Sequence, residues 1–313
     1  MDLRLIINTV ADYRDQLFGG SDMDPEQRRR NRASSSAAAE LARDGVPPLP
    51  ESARELLRIL RDPHFRTRDV VAVLESDPAL TAEIIHLANS AANARIAPCD
   101  TAAKAFTRLG ARAVVDLAVT AHVMALGANA TGAARDAVNH SVRVATIVRG
   151  LPTLRAFSAE RLFLCGLVHD IGIQLLSAAG EFHYTRDLLD DPDLCELETR
   201  RLRFDHATLG AVAMKMWEVP DPVSRIVAWH HHLDQAIERG GDVAYMVATL
   251  SLAEALDTNS SANGYLSSLA AANIANRADC QFLGLTADDL ELLWETTIAD
   301  ELMRVHPIVA QAA

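Results

Sequence analysis

A set of histidine and acidic side chains between residues 140 and 254 has the residue types of a metal site. The adjacent pair His169-Asp170 lies inside the apolar run FLCGLVHDIGI, residues 163–173. Imidazole and carboxylate groups held on rigid helices are common ligands of divalent ions such as Fe, Mn and Zn. An earlier histidine and a later carboxylate would complete four ligands from three helices. The candidate metal ligands are His140, His169, Asp170 and Glu254.

A second group of histidines is a candidate site for a second ion or for a phosphate. One member lies in the segment FDHATLG, and the run HHH closes a predicted helix that starts near Pro220. Two ions about 3.5–4 Å apart are a common device for activating water against a phosphodiester. The candidates for this role are His206, His230 and His231.

Structural roles are the alternative for each of these side chains. A single histidine on an apolar helix face is more often a hydrogen-bonded core residue than a ligand. The run His230–His232 could simply end a helix, where an imidazolium suits the helix dipole. Both interpretations stay open, because the sequence alone does not show that the side chains meet.

The elements that would position these residues are helices, and we predict an all-α fold. Hydrophobic residues make up 49% of the chain, but aromatic residues make up only 5%. Ala and Leu abound, and both lose little conformational freedom in a helix. No strand pattern of period two stands out. Asp77-Pro78 is predicted to be the N-cap and first residue of one helix, and Thr286 the N-cap of another.

Changes in composition predict four regions along the chain. Residues 1–18 are expected to form an amphipathic helix, and residues 19–45, with GGSDMD, RRRNR and SSSAAA, a flexible linker. Residues 46–259 would form the main domain, with an N-terminal helical part (46–126) and a second helical part (133–259). Residues 260–313 would add helices that complete or flank it.

Charge and cysteine content limit the function classes. The formal net charge of -12 argues against binding to nucleic acid or anionic membranes, which attract basic surfaces. The four cysteines are widely spaced and form no CxxC pair, as is typical of a reduced, cytoplasmic protein. No run reaches the roughly 18 apolar residues of a membrane-spanning helix. We therefore expect a cytoplasmic protein with no nucleic-acid or membrane partner.

Several motifs resemble the HDOD domain, the HD-related output domain of bacterial signalling proteins. The N-terminal motifs are VPPLPESARELLRIL and ESDPALTAEIIHLANSA, the second covering residues 75–91. NHSVRVA, GLVHDIGI, FDHATLGAVAMKMWEVP and IVAWHHH follow in the order of that family. The resemblance implies a helical fold of two packed parts, the second similar to HD phosphohydrolases.

The resemblance also implies roles for individual residues. His140 resembles the first metal histidine of the HD superfamily, and His169-Asp170 its HD doublet. The later histidines resemble the extra ligands of the cyclic di-nucleotide phosphodiesterase branch, and Glu254 replaces a final Asp. Ile173 stands where active relatives carry Lys, and no GYP follows His230-His231.

The leading functional hypothesis is a signalling output module that acts through contacts with regulatory proteins, without catalysis. One alternative is a metal-dependent phosphohydrolase or cyclic nucleotide phosphodiesterase. Another is a sensor that binds a nucleotide second messenger in the same pocket without turnover.

Overall fold

The computed structural model describes residues 3–20, 23–89, 98–128, 130–151, 157, 159–260 and 265–303. Over these residues the chain is all-α, as predicted, with eighteen α-helices and no strand. A π-helix, Trp294–Ile298, continues the last one. The α-helices are α1 (Leu3–Phe18), α2 (Pro25–Gly45), α3 (Glu51–Leu60), α4 (Thr67–Ser76), α5 (Pro78–Ala88), α6 (Ala102–Gly127), α7 (Gly132–Gly150), α8 (Ala159–Val168), α9 (Ile171–Ala179), α10 (Arg186–Leu189), α11 (Leu194–Leu202), α12 (His206–Met216), α13 (Val223–Trp229), α14 (Leu233–Arg239), α15 (Gly241–Asn259), α16 (Ser268–Ala275), α17 (Ala278–Leu283) and α18 (Ala287–Leu293).

Helices α3–α6 pack together as the N-terminal helical part. The predicted cap of α5 is confirmed, because the Asp77 carboxylate accepts a hydrogen bond from the Leu80 backbone N–H at 3.0 Å. At the other end of α5, the Asn89 side chain both accepts from and donates to the backbone of Cys99, at 2.7 and 2.8 Å. These bonds fix both ends of the DPALT–LAN segment. The motif's last residues, 90 and 91, lie outside the described residues.

Helix α6 is long and apolar enough to match a membrane span by length and composition. It is bent at Gly110, whose φ of 79° interrupts the helix. Asp116 is fully buried in it and pairs with the buried Arg161 of α8 at 2.8 Å. Packing against α5 and α8 gives α6 the contacts of a core helix.

The flexible linker predicted for residues 19–45 is wrong over Pro25–Gly45, which forms the helix α2. Its alanine face, with Ala38, Ala39 and Ala42 fully buried, packs on α1 and α12. The segment has low hydrophobicity and an arginine run, which suggested a solvated chain. Small side chains nevertheless let two helices approach closely, so tertiary packing stabilises a helix that composition alone does not predict.

The second helical part brings α7, α8, α9, α12, α13 and α15 together around the candidate ligands. Two glycines permit this close packing. A Cβ at Gly166 would lie 2.4 Å from the Cα of Ala145 in α7, and one at Gly172 would lie 2.0 Å from the carbonyl oxygen of His206 in α12. Both distances are too short for any side chain, so these positions set how closely the ligand-bearing helices approach.

The described C-terminal helices pack on the second helical part. Helix α17 contacts α15, and the π-helix after α18 contacts α7. Trp294 and Ile298 of the π-helix are buried in these contacts. The predicted N-cap at Thr286 is confirmed, and it forms a reciprocal capping box with Asp289.

Candidate metal centre

The central pair His169-Asp170 lies at a break between two helices. Helices α8 and α9 meet there at a bend of 41°. Asp170 is the residue before α9, and His169 follows α8 directly. Neighbours in a continuous helix diverge by about 100°. The break lets both side chains face one centre.

The first group of predicted ligands meets around His169, and we call His140, His169 and Glu254 the carboxylate half-site. The Nε2 atom of His169 lies 3.2 Å from Asp170 Oδ2 and 3.6 Å from Glu254 Oε1. The His140 ring from α7 lies 5.5 Å from the His169 ring, centroid to centroid. The His140 and Glu254 side chains are 32% and 31% exposed, so this half-site opens to solvent.

The second group meets at the other oxygen of Asp170, and we call His206, His230 and His231 the histidine half-site. The Nε2 atoms of His206 and His230 lie 3.4 and 3.3 Å from Asp170 Oδ1. The Nε2 atoms of His206 and His231 are 2.8 Å apart. His206 begins α12, and the other two follow α13. Asp170 therefore bridges the two half-sites, as a carboxylate shared by two ions would.

Four of the histidines have their Nδ1 atom held by a partner outside the cluster. The Nδ1–H groups of His169 and His230 donate to the backbone carbonyls of Gly166 and Val227, each at 2.7 Å. A carboxylate holds each of the other two. Glu198 lies 2.8 Å from His206 Nδ1, and Asp257 lies 3.0 Å from His140 Nδ1. Such bonds fix the tautomer that leaves Nε2 free as a metal ligand.

Buried polar atoms that make no hydrogen bond indicate whether these residues fit a metal ion. His169 Nε2 and His230 Nε2 face Asp170 at ion-pair distances, but neither they nor Asp170 Oδ1, all buried, make a hydrogen bond. Such orphans are costly in a folded protein, and all three point into the cluster. One ligand atom each of His140, His169 and Asp170 lie within 4.8 Å of one another, and so do those of Asp170, His206, His230 and His231. Glu254 approaches the first group through His169. The donor set therefore fits a divalent metal in each half-site.

The pKa values of the metal-free chain also indicate that the cluster favours a positive charge. Burial disfavours the charged form of His169, but the carboxylates of Asp170 and Glu254 outweigh it and raise the pKa of His169 to about 9. Burial likewise opposes the charge on Asp170, yet the surrounding histidines hold its pKa well below the ordinary value. The cluster thus favours positive charge beside Asp170, which protons supply in the absence of an ion.

His231 differs from the other histidines in its surroundings. Desolvation, followed by the electrostatic influence of the neighbouring His230 and His206, holds its pKa well below the ordinary value. The residue nevertheless keeps exposed surface at the edge of the cluster. A neutral imidazole at this edge is in the protonation state that a metal ligand requires.

The sequence did not indicate the carboxylates that hold the ligands. Glu198 is fully buried and accepts hydrogen bonds from the His206 backbone N–H, 2.8 Å away, and from the Tyr184 hydroxyl. Asp257 also accepts from Arg143 Nε at 2.7 Å. Asp257 lies one turn after Glu254 in α15, whereas Glu198 lies in α11, a helix that carries no candidate ligand.

A third group, Cys195 with Glu198 and His206, also has metal-ligand spacing. Burial raises the pKa of the Cys195 thiol to about 12, so it is protonated and a poor ligand. Glu198 already accepts three hydrogen bonds. Glu198 therefore supports His206 from outside the cluster.

Comparison with known proteins gives one family. The HDOD domain model matches residues 46–233. An uncharacterized protein of Treponema pallidum (strain Nichols) is 26% identical in an alignment of 206 residues that covers 62% of this chain and 39% of that protein. The chain thus spans well under half the length of this relative.

Solved structures share the fold. An HDOD domain protein of unknown function from Geobacter sulfurreducens matches with a TM-score of 0.59 and 20% identity, over 90% of this chain and 98% of its own. A proposed metal-dependent phosphohydrolase from Shewanella amazonensis SB2B matches with a TM-score of 0.59 and 19% identity. The match covers 91% of this chain and 99% of that protein. A proposed signal transduction protein from Marinobacter aquaeolei VT8 matches with a TM-score of 0.54 and 21% identity. The match covers 99% of this chain and 69% of that protein. The family model covers more than half of the sequence, and this chain belongs to the HDOD domain family.

Proposed function

We propose that this chain is a signalling protein whose second helical part binds two divalent ions and hydrolyses a phosphate ester. The observation that carries the proposal is a set of four histidines with Nδ1 held from outside, three of which direct Nε2 at the shared carboxylate of Asp170. A core histidine needs only to satisfy its own polar atoms. Here buried nitrogens make no hydrogen bond and face a shared carboxylate instead, as is typical of ligands.

When bound, two divalent ions polarise a phosphoryl oxygen and lower the pKa of a bound water. The residues of this chain would position the ions and the substrate. Asp170 fixes the spacing of the two half-sites, and the exposed edges of His140 and Glu254 leave room for a substrate. Arg143, 42% exposed, places a guanidinium beside His140, where it can attract the phosphate.

The substrate class that we propose is a nucleotide second messenger with a phosphodiester. Fe, Mn and Zn suit the mixed imidazole and carboxylate ligands. The product or the occupied site would then be sensed by a regulatory protein partner.

A non-catalytic output module, acting through protein contacts alone, is the second candidate. One observation favours it. Ile173, which stands where active relatives carry Lys, is 3% exposed and packs in the core, so α9 supplies no cation at this position. In this case the assembled cluster would serve to hold the fold in a partner-binding shape. A nucleotide sensor without turnover would use the same residues.

Turnover by metal-loaded protein separates these functions. Protein reconstituted with Fe, Mn or Zn is assayed with bis(p-nitrophenyl) phosphate and with a cyclic dinucleotide. The proposal expects turnover by the wild type and by His86→Ala, which removes an exposed imidazole on α5. His169→Ala should show only background. Equal background rates for fully loaded wild type and His169→Ala would favour the output module.

A further inference from the structure

Helix α1 lies outside residues 46–233, yet it packs on the elements that carry the histidine half-site. Its main packing partners are α2, α12, α13 and α14. For each of the three histidine ligands, α1 contacts a residue directly next to it in the chain. These neighbours are Asp205 before His206, Trp229 before His230, and His232 after His231.

The strongest of these contacts is an ion pair. Arg14 Nη2 lies 2.7 Å from Asp205 Oδ2, and Arg14 Nη1 donates to Thr208 Oγ1 at 2.6 Å. The Arg14 and Asp205 side chains are only 12% and 5% exposed. Asp205 is also the N-cap of α12, accepting from the Thr208 backbone N–H at 2.8 Å. Arg14 thus holds the residue that sets where α12, and with it His206, begins.

Two further contacts reach the other histidines. Trp229 Nε1 donates to the backbone carbonyl of Tyr13 at 2.9 Å. The Phe18 ring meets the His232 ring edge-on, with centroids 4.8 Å apart. Both contacts come from α1 and flank the pair His230-His231. The helix therefore contacts both chain segments that supply the histidine half-site.

The carboxylate half-site is built differently. His140 lies on α7 and Glu254 on α15, and Asp257 of α15 holds His140 directly. The described packing of α15 is with α7, α13, α14, α16 and α17. A change in α1 should therefore act on one half-site more than on the other.

We infer that α1 is a positioning element for the histidine half-site and that Arg14 is its main positioning residue. The helix sets the affinity of His206, His230 and His231 for an ion while leaving the carboxylate half-site unchanged. Displacement of α1 would then release one of the two ions. This inference rests on the proposed metal centre.

Isothermal titration with Mn²⁺ or Zn²⁺ tests it in the full chain, comparing wild type, Arg14→Ala, Arg14→Lys and Arg30→Ala. Residues that support metal ligands from outside commonly change affinity by about 10–100-fold. We expect Arg14→Ala to weaken one of two binding events about 10-fold and to leave the other within about 2-fold. Arg14→Lys should recover part of the loss. Arg30→Ala removes the same charge from α2, where Arg30 meets Glu26 at the surface, and should bind as wild type.

The outcomes are distinct. A folded Arg14→Ala protein with both affinities unchanged would overturn the inference and leave the metal centre standing. Equal weakening of both events would also overturn it. If Arg14→Ala does not fold, Phe18→Ala, at a 36% exposed ring, must weaken the same single event, and unchanged binding there overturns the inference. A wild-type protein that binds no metal overturns both proposals.

Discussion

The two half-sites share Asp170 but differ in ligand chemistry and in support. The carboxylate half-site combines two imidazoles with the acidic groups of Glu254 and Asp170, and it opens to solvent. The histidine half-site has three imidazoles and only the shared carboxylate, and the side chains of His206 and His230 are at most 1% exposed. Carboxylate oxygens suit Mn, whereas imidazoles suit Zn and Fe. The ions that we propose for the two half-sites would thus differ in identity.

Their supporting groups differ as well. In the carboxylate half-site, Asp257 holds His140 from a neighbouring helix at a partly exposed edge. In the histidine half-site, Glu198 holds His206 from a fully buried position, and α1 packs against the segments that carry the histidines. This difference predicts which substitutions empty one half-site and which empty both.

The largest effect is expected from Asp170→Asn, which removes the charge shared by both half-sites. An amide is a weaker metal ligand, and the surrounding imidazoles lose their counter-charge. We expect the loss of both metal equivalents while the helical circular dichroism is retained. Elemental mass spectrometry after reconstitution measures this. Retention of one equivalent at wild-type affinity would show that Asp170 does not bridge.

Gly172→Ala should disrupt the histidine half-site through packing. The added methyl would lie 2.0 Å from the His206 carbonyl oxygen, so α12 must move away from α9. We expect a destabilisation of about 3 kcal/mol, at the upper end of ordinary overpacking, and loss of the ion held by His206. Urea unfolding and metal titration measure both.

Gly45→Ala is the matched control, because its methyl would meet Ala179 at an ordinary contact distance of 3.9 Å. It should leave stability and binding near the wild-type values. Equal effects of the two substitutions would contradict the close-approach explanation.

A pair of substitutions in the supporting carboxylates should separate the half-sites. Glu198→Gln removes the charge behind His206, and Asp257→Asn removes the charge behind His140. Each should weaken only its own binding event, by about 10–100-fold. Titration with two ions of different preference would resolve the events. If both variants weaken the same event, the division into two half-sites is wrong.

A further effect, confined to the metal-free chain, is a pH dependence of stability. The folded-state pKa of His169 is about 9, above its ordinary value of 6.5, because Asp170 and Glu254 outweigh its burial. Its protonation therefore stabilises the fold fully below pH 6.5, and this contribution is lost as the pH rises through 9. The contribution is about 3 kcal/mol. Urea unfolding of metal-free protein at pH 6 and pH 9.5 should show this loss in the wild type and less of it in His169→Ala.

The sequence predicted the helical fold and all seven members of the cluster, because histidines are scarce and these lie in motifs of the HDOD domain. Their role as ligands stays a prediction. Glu198 and Asp257 were missed since a carboxylate on an amphipathic helix usually faces solvent, and only the packing of α11, α12 and α15 turns these two inward. Helix α2 was missed because its stability comes from close alanine packing against α1 and α12.

The most direct test of the central claim is the metal content of protein purified without a metal-affinity step, with His169→Ala as control. We predict near-stoichiometric Fe, Mn or Zn in the wild type and the loss of at least the carboxylate half-site's ion in His169→Ala. Elemental mass spectrometry gives the answer in one measurement. Wild-type protein that contains no metal, even after reconstitution, would contradict the account and leave His169 and Asp170 as structural residues.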